Sequence, residues 1–289
     1  MKKEFDIEDI DYEITKKSHP IRKIFFTLIL IIVLTVIYAR YVGTSGLLVK
    51  EYSIKSSKIT EGFNGFKITH FSDIHYGNVT FINELKKLVD DINKTKPDVI
   101  IFTGDFIDKN IKVSDAEIVQ ITEELNKLHS TYGNYYINGN HDNKFKKYDE
   151  MMTNSGFINL NNNFDVLYNK NNDSILLTGL STKKDNKFLE EVFKEQYNYK
   201  INIMHYPDMF NDIKNYNYDL VLAGHSHNGQ IVIPFYGAVV LPNNAKKYYK
   251  PYYKKGNTDF YISSGIGTSN YNFRLFNRPS YNVYRLIKK

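Results

Sequence analysis

Histidine and aspartate recur in this chain directly after apolar runs. Asp73-Ile74-His75 follows Phe66–Phe71, and Gly104-Asp105 follows Val99-Ile100-Ile101-Phe102-Thr103. Gly139-Asn140-His141-Asp142 follows Asn134–Asn138, His205 follows Ile201-Asn202-Ile203-Met204, and Gly224-His225-Ser226-His227 follows Asp219–Ala223. Together these motifs hold five of the 8 histidines. Imidazole, carboxylate and amide oxygen suit Zn, Mn or Fe, and the absence of cysteine excludes thiolate sites. A single catalytic ion needs about three protein ligands plus water. Asp73, His75, Asp105, Asn140, His205, His225 and His227 are too many for that. Two ions roughly 3.5–4 Å apart would use them all if one carboxylate bridges. Such a pair clamps phosphoryl oxygens and makes hydroxide available near neutral pH. His141 is then left over beside Asn140 as a proton donor to the leaving oxygen. The chemistry implied is phosphoester hydrolysis. Taken singly, each motif also reads as an ordinary turn or a core histidine; their shared placement after apolar runs decides.

The elements that position these residues alternate. Apolar, β-rich runs lie at Phe66–Phe71, Asp98–Thr103, Asn134–Asn138, Ser174–Leu180, Lys200–Met204 and Asp219–Ala223, with later ones at Gln230–Ile233, Phe260–Ser263 and Tyr281–Leu286. Between them, Ile82, Leu85, Leu88, Val89 and Ile92 fall on one helical stripe of Phe81–Asn93. Ile118, Ile121, Leu125 and Leu128 do the same in Ala116–Leu128. Continuous apolar strands alternating with helices predict an α/β fold, its largely parallel sheet covered on its faces. Ligands in such folds sit beyond the carboxyl ends of strands, where these motifs lie.

The order DxH, GD, GNHD, lone His, GHxH resembles the calcineurin-like metallophosphoesterases, and most closely their membrane-anchored bacterial branch, whose members hydrolyse phosphodiesters or lipid-linked diphosphates. The likeness runs from about Gly65 to Leu286 and includes Gly224-His225-Ser226-His227-Asn228-Gly229-Gln230 and Ser264-Gly265-Ile266-Gly267-Thr268-Ser269. It implies a four-layer α/β/β/α sandwich. It also implies that Asp73, His75, Asp105 and His227 hold one metal, and that Asp105 bridges to a second held by Asn140, His205 and His225. By the same resemblance His141 is the acid, oriented by Asp142. Two departures bear on the substrate. Lys109 follows Asp105-Phe106-Ile107-Asp108 where many relatives have arginine, and Pro279-Ser280 stands where many have Pro-Glu. Lysine cannot grip phosphate bidentately as arginine does.

The amino-terminal region indicates where the chemistry takes place. Ile24 to Ala39 carries no charge, and extension past Arg40 to Val42 gives a stretch close to the ~20 residues of a spanning helix. Tyr38 and Tyr41 suit the interfacial belt, and Arg40 can snorkel. Lys16, Lys17, Arg22 and Lys23 precede the span, which favours a cytoplasmic amino terminus and an extracytoplasmic catalytic domain. The 23 residues before the apolar core and the want of an A-x-A site favour an anchor over a cleaved signal. The organisation expected is a tail at 1–23, a transmembrane signal-anchor at 24–42 and a catalytic domain at 43–289. Without cysteine, that domain is held by its core alone.

The segment 246–255 packs five lysines and four tyrosines into ten residues. It reads as a solvated loop or a lysine-protected edge strand, or else as a loop resting on anionic headgroups. Asn161-Asn162-Asn163 and Asn169 to Asp173 read as turns. A first strand beginning near Leu47 leaves a tether of at most ~18 Å, so a phospholipid-type or lipid-linked diphosphate substrate needs no travel. A nuclease or phosphomonoesterase on the same site is the enzyme alternative, although one basic cluster is little for a nucleic-acid channel. A non-catalytic metal-binding membrane module is the alternative from another class.

Overall fold

The computed structural model describes residues 20–109, 111–169, 171, 173–183, 185 and 187–289. The acidic tail expected at 1–23 therefore lies almost wholly outside the described residues. Internal contacts divide the chain between Ile37 and Tyr38.

The first described element is the helix α1 (Pro20–Ile37). The apolar stretch Pro20–Val42 is long and apolar enough to cross a membrane, as a signal sequence also is. Its two threonines close on their own helix: Thr27 Oγ1 donates to the Lys23 carbonyl and Thr35 Oγ1 to that of Ile31, both at 2.8 Å. Neither threonine hydroxyl is left unpaired for a hydrocarbon environment to penalise. Tyr38–Val42 forms a wider turn whose Ala39 is buried, and it belongs to the globular unit. Gly43 N donates to the Tyr38 carbonyl at 2.7 Å.

Two six-stranded sheets make up the globular unit. The first runs β1 (Leu48–Ser56), β14 (Ser280–Lys288), β2 (Lys67–Phe71), β3 (Val99–Phe102), β4 (Asn134–Tyr136) and β5 (Phe157–Asn159). The second runs β12 (Tyr252–Lys255), β13 (Thr258–Ile262), β9 (Leu220–Ala223), β8 (Tyr199–Met204), β7 (Ser174–Leu180) and β6 (Asn163–Tyr168). A two-stranded hairpin, β10 (Val232–Ile233) and β11 (Gly237–Ala238), stands apart from both. The strands β2 to β5 and β7, β8, β9 and β13 pair in parallel, as their unbroken apolar runs imply.

Alternation along the strands makes the layers. Ile100 and Phe102 of β3 face the helices α2 (Ile82–Lys94), α3 (Asp115–Leu125) and α4 (Tyr148–Asn154), packing with Leu85, Leu88, Ile121 and Met151. Val99 and Ile101 face the other way, against Ile201, Leu220 and Leu222 of the second sheet. The outer face of that sheet, including Val221 and Phe260, packs on α5 (Lys187–Val192) and α6 (Phe210–Ile213) through Leu189 and Ile213. Three apolar layers separate four layers of structure, α/β/β/α, as expected. Tyr252–Lys255, the end of the lysine- and tyrosine-rich segment, is an edge strand.

Candidate metal centre

Every motif residue sits just past a strand end. Five of them, Asp73, His75, Asp105, His225 and His227, have φ between 46° and 66°. Non-glycine residues rarely adopt this left-handed region, and they persist there only when the surroundings hold them. The turns let consecutive loops interlock. A Cβ on Gly139 would come within 2.1 Å of Asp105 Oδ1, and one on Gly104 within 2.3 Å of the Gly139 nitrogen. Glycine is required at both because the two loops touch through backbone.

The donors converge as two groups. Asp73, His75 and His227 form one, with donor atoms all within 4.8 Å of one another. Asp105, His205 and His225 form the other on the same measure. Asp105 Oδ2 lies 3.3 Å from His205 Nε2 and 3.9 Å from His75 Nε2, between the groups where a shared ligand must be. Asn140 Oδ1 is 3.2 Å from His205 Nε2. His75 and His227 face each other through Nε2 at 3.1 Å.

Hydrogen bonds fix which nitrogen is left for an ion. His205 Nδ1 lies 2.7 Å from the Thr103 carbonyl. A carbonyl only accepts, so Nδ1 carries a proton and Nε2 is the atom left to bind. In His225, Nε2 donates to the Asn243 carbonyl at 2.8 Å, which leaves Nδ1. His75 Nδ1 faces Asp108 at 3.4 Å, which leaves its Nε2. His227 Nδ1 accepts from the Arg274 guanidinium at 3.2 Å, so the neutral ring carries its proton on Nε2, 3.6 Å from Asp73 Oδ1, and must give it up for that atom to bind an ion. This donor set, hard oxygen and oriented imidazole with no thiolate, fits two divalent ions of the Mn, Zn or Fe class.

Electrostatics agree. Although burial opposes the charged form, Asp105 raises His205 to about 9. Against the same penalty, His205 and His75 hold the Asp105 carboxyl well below the usual range. Burial, then the charge on His205, lowers His225 to about 3.

His141 lies against the donors, and its ligand atom falls within 4.8 Å of those of His75 and Asp108 as a third group. Its Nδ1 accepts from Lys109 N–H at 3.1 Å, so the neutral ring carries its proton on Nε2, 3.9 Å from Asp105 Oδ2. Burial is the main influence lowering it to about 4. Asp142 does not orient this ring as the resemblance implied. Its carboxylate accepts from Asp105 N, Phe106 N and Gly139 N at 2.7 to 2.8 Å and so holds the Asp105 loop. Asp142 opens a short helical turn, and its side chain reaches back to those N–H groups. Burial and the charge of Asp105 push it up to about 7.

Two side chains of the site had no assigned role in the sequence reading. Asp108 lies in the Asp105-Phe106-Ile107-Asp108 turn, and the spacing was the available signal. Arg274 sits in a Tyr- and Asn-rich loop with no motif around it. It is fully buried, and beyond His227 its guanidinium donates to the carbonyls of Ser264, Gly265, Gly267 and Asn277.

The cleft over these residues measures about 660 Å³, open solvent included. Its lining combines Asp105, His141, His225 and His227 with Ile231, Val240, Pro242 and Tyr271.

The calcineurin-like phosphoesterase family model matches residues 66–229. The chain belongs to that family. It is 33% identical over 255 residues to the uncharacterized metallophosphoesterase YkuE of Bacillus subtilis, covering 86% of this chain and 88% of that protein. It is 24% identical to the phosphodiesterase YaeI of Escherichia coli, covering 77% of this chain and 82% of that one. Among solved structures, a dimetal phosphatase from Danio rerio matches 70% of this chain and 88% of its own at 11% identity and a TM-score of 0.48. Family membership makes the protein a metal-dependent phosphoesterase in type, and the two donor groups are where divalent ions would bind.

Proposed function

We propose that the protein hydrolyses a phosphodiester or a lipid-linked diphosphate at the outer face of the membrane. The observation that carries this reading is the composition of the cleft, whose lining combines ionic donors with the apolar residues Ile231, Val240 and Pro242. An amphiphilic phosphoester matches both. The likeness to a named phosphodiesterase supports the diester, and the apolar amino-terminal helix supports a membrane position.

Asp73, His75 and His227 would hold one ion and Asn140, His205 and His225 the other, with Asp105 shared. When bound, such a pair polarises the phosphoryl oxygens and acidifies a coordinated water. The chain's own groups do the rest. Asp142 keeps the Asp105 loop in place through three N–H bonds. Lys109 N–H fixes the His141 ring so that Nε2–H faces the leaving oxygen. An anionic phosphoryl group beside that ring favours its charged form, offsetting burial and making it a proton donor when substrate is present. Ile231, Val240 and Pro242 keep water from their part of the cleft.

The test uses the full chain in detergent, loaded with Mn or Zn, against bis-p-nitrophenyl phosphate, p-nitrophenyl phosphate and a lipid diphosphate in mixed micelles. Turnover of the diester or the lipid diphosphate, abolished in Asp105→Ala, is the expected result. Turnover of the monoester alone overturns the proposal in favour of a phosphomonoesterase. Two bound metals with no turnover of any of the three would instead mark a binding module.

A further inference from the structure

The hairpin that supplies apolar lining to the cleft continues outward past it. From Gln230 to Pro242 the chain carries no charged residue, although 24% of all residues are charged. At its tip Phe235 is 111% exposed and Tyr236 76%, and Val240 at its base is 67% exposed. The turn is closed by Tyr236 N donating to the Ile233 carbonyl at 3.1 Å, with Pro234 and Phe235 at its centre and Phe235 at φ 67°. That position favours glycine or asparagine. Here a bulky aromatic is placed in an unfavourable backbone conformation and is left with its whole side chain in solvent. No contact within the globular unit compensates, so the tip is built for something outside the protein.

What that is follows from the neighbours. Val232 N donates to the Leu275 carbonyl at 3.0 Å, and Leu275 N returns a bond to Gln230. The adjacent Arg274 N donates to the Ala39 carbonyl at 2.9 Å. A Cβ on Gly43 would strike the Arg274 carbonyl, so this turn and the 274 loop are in backbone contact. The base of the hairpin is therefore two hydrogen-bonding steps from Tyr38–Val42, the end of the apolar stretch. Phe276 on the intervening loop and Tyr41 on the turn are both exposed. An uncharged, aromatic-tipped projection beside the point where the chain leaves a bilayer matches the interfacial preference of tyrosine and phenylalanine.

We infer that the hairpin Val232–Val240 inserts its Phe235-Tyr236 tip into the same bilayer as the amino-terminal helix, giving the globular unit a second membrane contact at the rim of the metal cleft. The inference rests on the membrane position proposed above and is independent of catalysis.

The chain has no tryptophan, so Phe235→Trp creates a single emitter. The full-length variant is reconstituted into phosphatidylcholine–phosphatidylglycerol vesicles with and without lipids brominated on the acyl chain. Phe26→Trp in α1 reports the anchor, and Phe164→Trp on the edge strand β6 reports exposed protein outside the patch. The expected result is blue-shifted emission at 235, quenched at least about twofold by brominated lipid as at 26, and solvent-like, unquenched emission at 164. Unquenched, solvent-like emission at 235 with quenching at 26 overturns the hairpin contact while the anchor stands. Blue-shifted but unquenched emission at 235 also overturns it, since the tip then meets protein rather than lipid. Absence of quenching at both 26 and 235 overturns the membrane position and this inference with it.

Discussion

The two halves of the metal centre are ordered by different means. In the Asp105, His205 and His225 half, the imidazoles are aimed by backbone carbonyls, those of Thr103 and Asn243. In the Asp73, His75 and His227 half they are aimed by ionised side chains of opposite sign, Asp108 behind His75 and Arg274 behind His227. Against burial, the Asp108 contact and neighbouring carboxylates raise the affinity of His75 for protons. Burial, His75 and Arg274 together hold His227 well below its ordinary range. Two rings stacked 5.1 Å apart thus differ in proton affinity through what stands behind each. A carbonyl cannot be mutated away, so the first half is robust to substitution behind its ligands. The second can be tuned, or damaged, by a single charge change.

That contrast sets the experiments, beginning with the residue common to both halves. Asp105→Ala removes the shared ligand, and both metal occupancy, by elemental analysis, and turnover should fall to background; retention of one ion at full occupancy would mean that the halves bind independently. His141→Ala leaves every donor in place. It should keep both metals and lower turnover by about 10²–10⁴-fold, the usual range for a positioned proton donor; equal turnover would remove His141 from the chemistry. Asp108→Asn removes the charge behind His75, a charge that also lies 3.8 Å from His141 Nδ1. It should weaken one of two metal-binding steps by about 10–100-fold and leave the other unchanged, as resolved by calorimetric titration; equal weakening of both would erase the distinction between the halves.

The smallest effect is on pH. After metal is removed by chelation, His205 at about 9 stands above its unfolded value, so its pairing with Asp105 stabilises the fold below pH 6.5 and is lost as pH rises through about 9. An ion needs the neutral ring, so binding in that half should release a proton and tighten by about tenfold per pH unit between about 6.5 and 9. His225, at about 3, contributes no proton in that window. Proton release measured in two buffers of different ionisation enthalpy checks this, and no release would mean that His205 is already neutral.

The same contrast explains what was legible in the sequence. Asp73, His75, Asp105, Asn140, His205, His225 and His227 stood out because each follows an apolar strand, and the structure gathers all seven. The partners behind them did not. Backbone carbonyls such as Thr103 and Asn243 have no residue signature, and Arg274 reaches His227 from a loop of unremarkable composition. Asp142 was expected against His141 because the two are adjacent; adjacency does not say which way a side chain turns at the start of a helical turn. In the fold, the buried parallel strands and the striped helices α2 and α3 were evident. The strands β5, β6 and β12 are short or edge-placed, and β1 mixes Lys50, Glu51 and Lys55 with apolar residues, so none presents a continuous apolar run.

The pairing of β1 with β14 has a consequence for biosynthesis. Leu48–Ser56 lies in parallel register with Ser280–Lys288, and β14 in turn separates β1 from β2. The strand made soon after the apolar helix therefore waits for a partner synthesised about 230 residues later. At roughly 5–20 residues per second, that is on the order of ten seconds or more in which β1 has no partner strand. The nascent chain must be kept from pairing with its neighbours during that interval, and the enzyme's first sheet closes only when its last strand arrives.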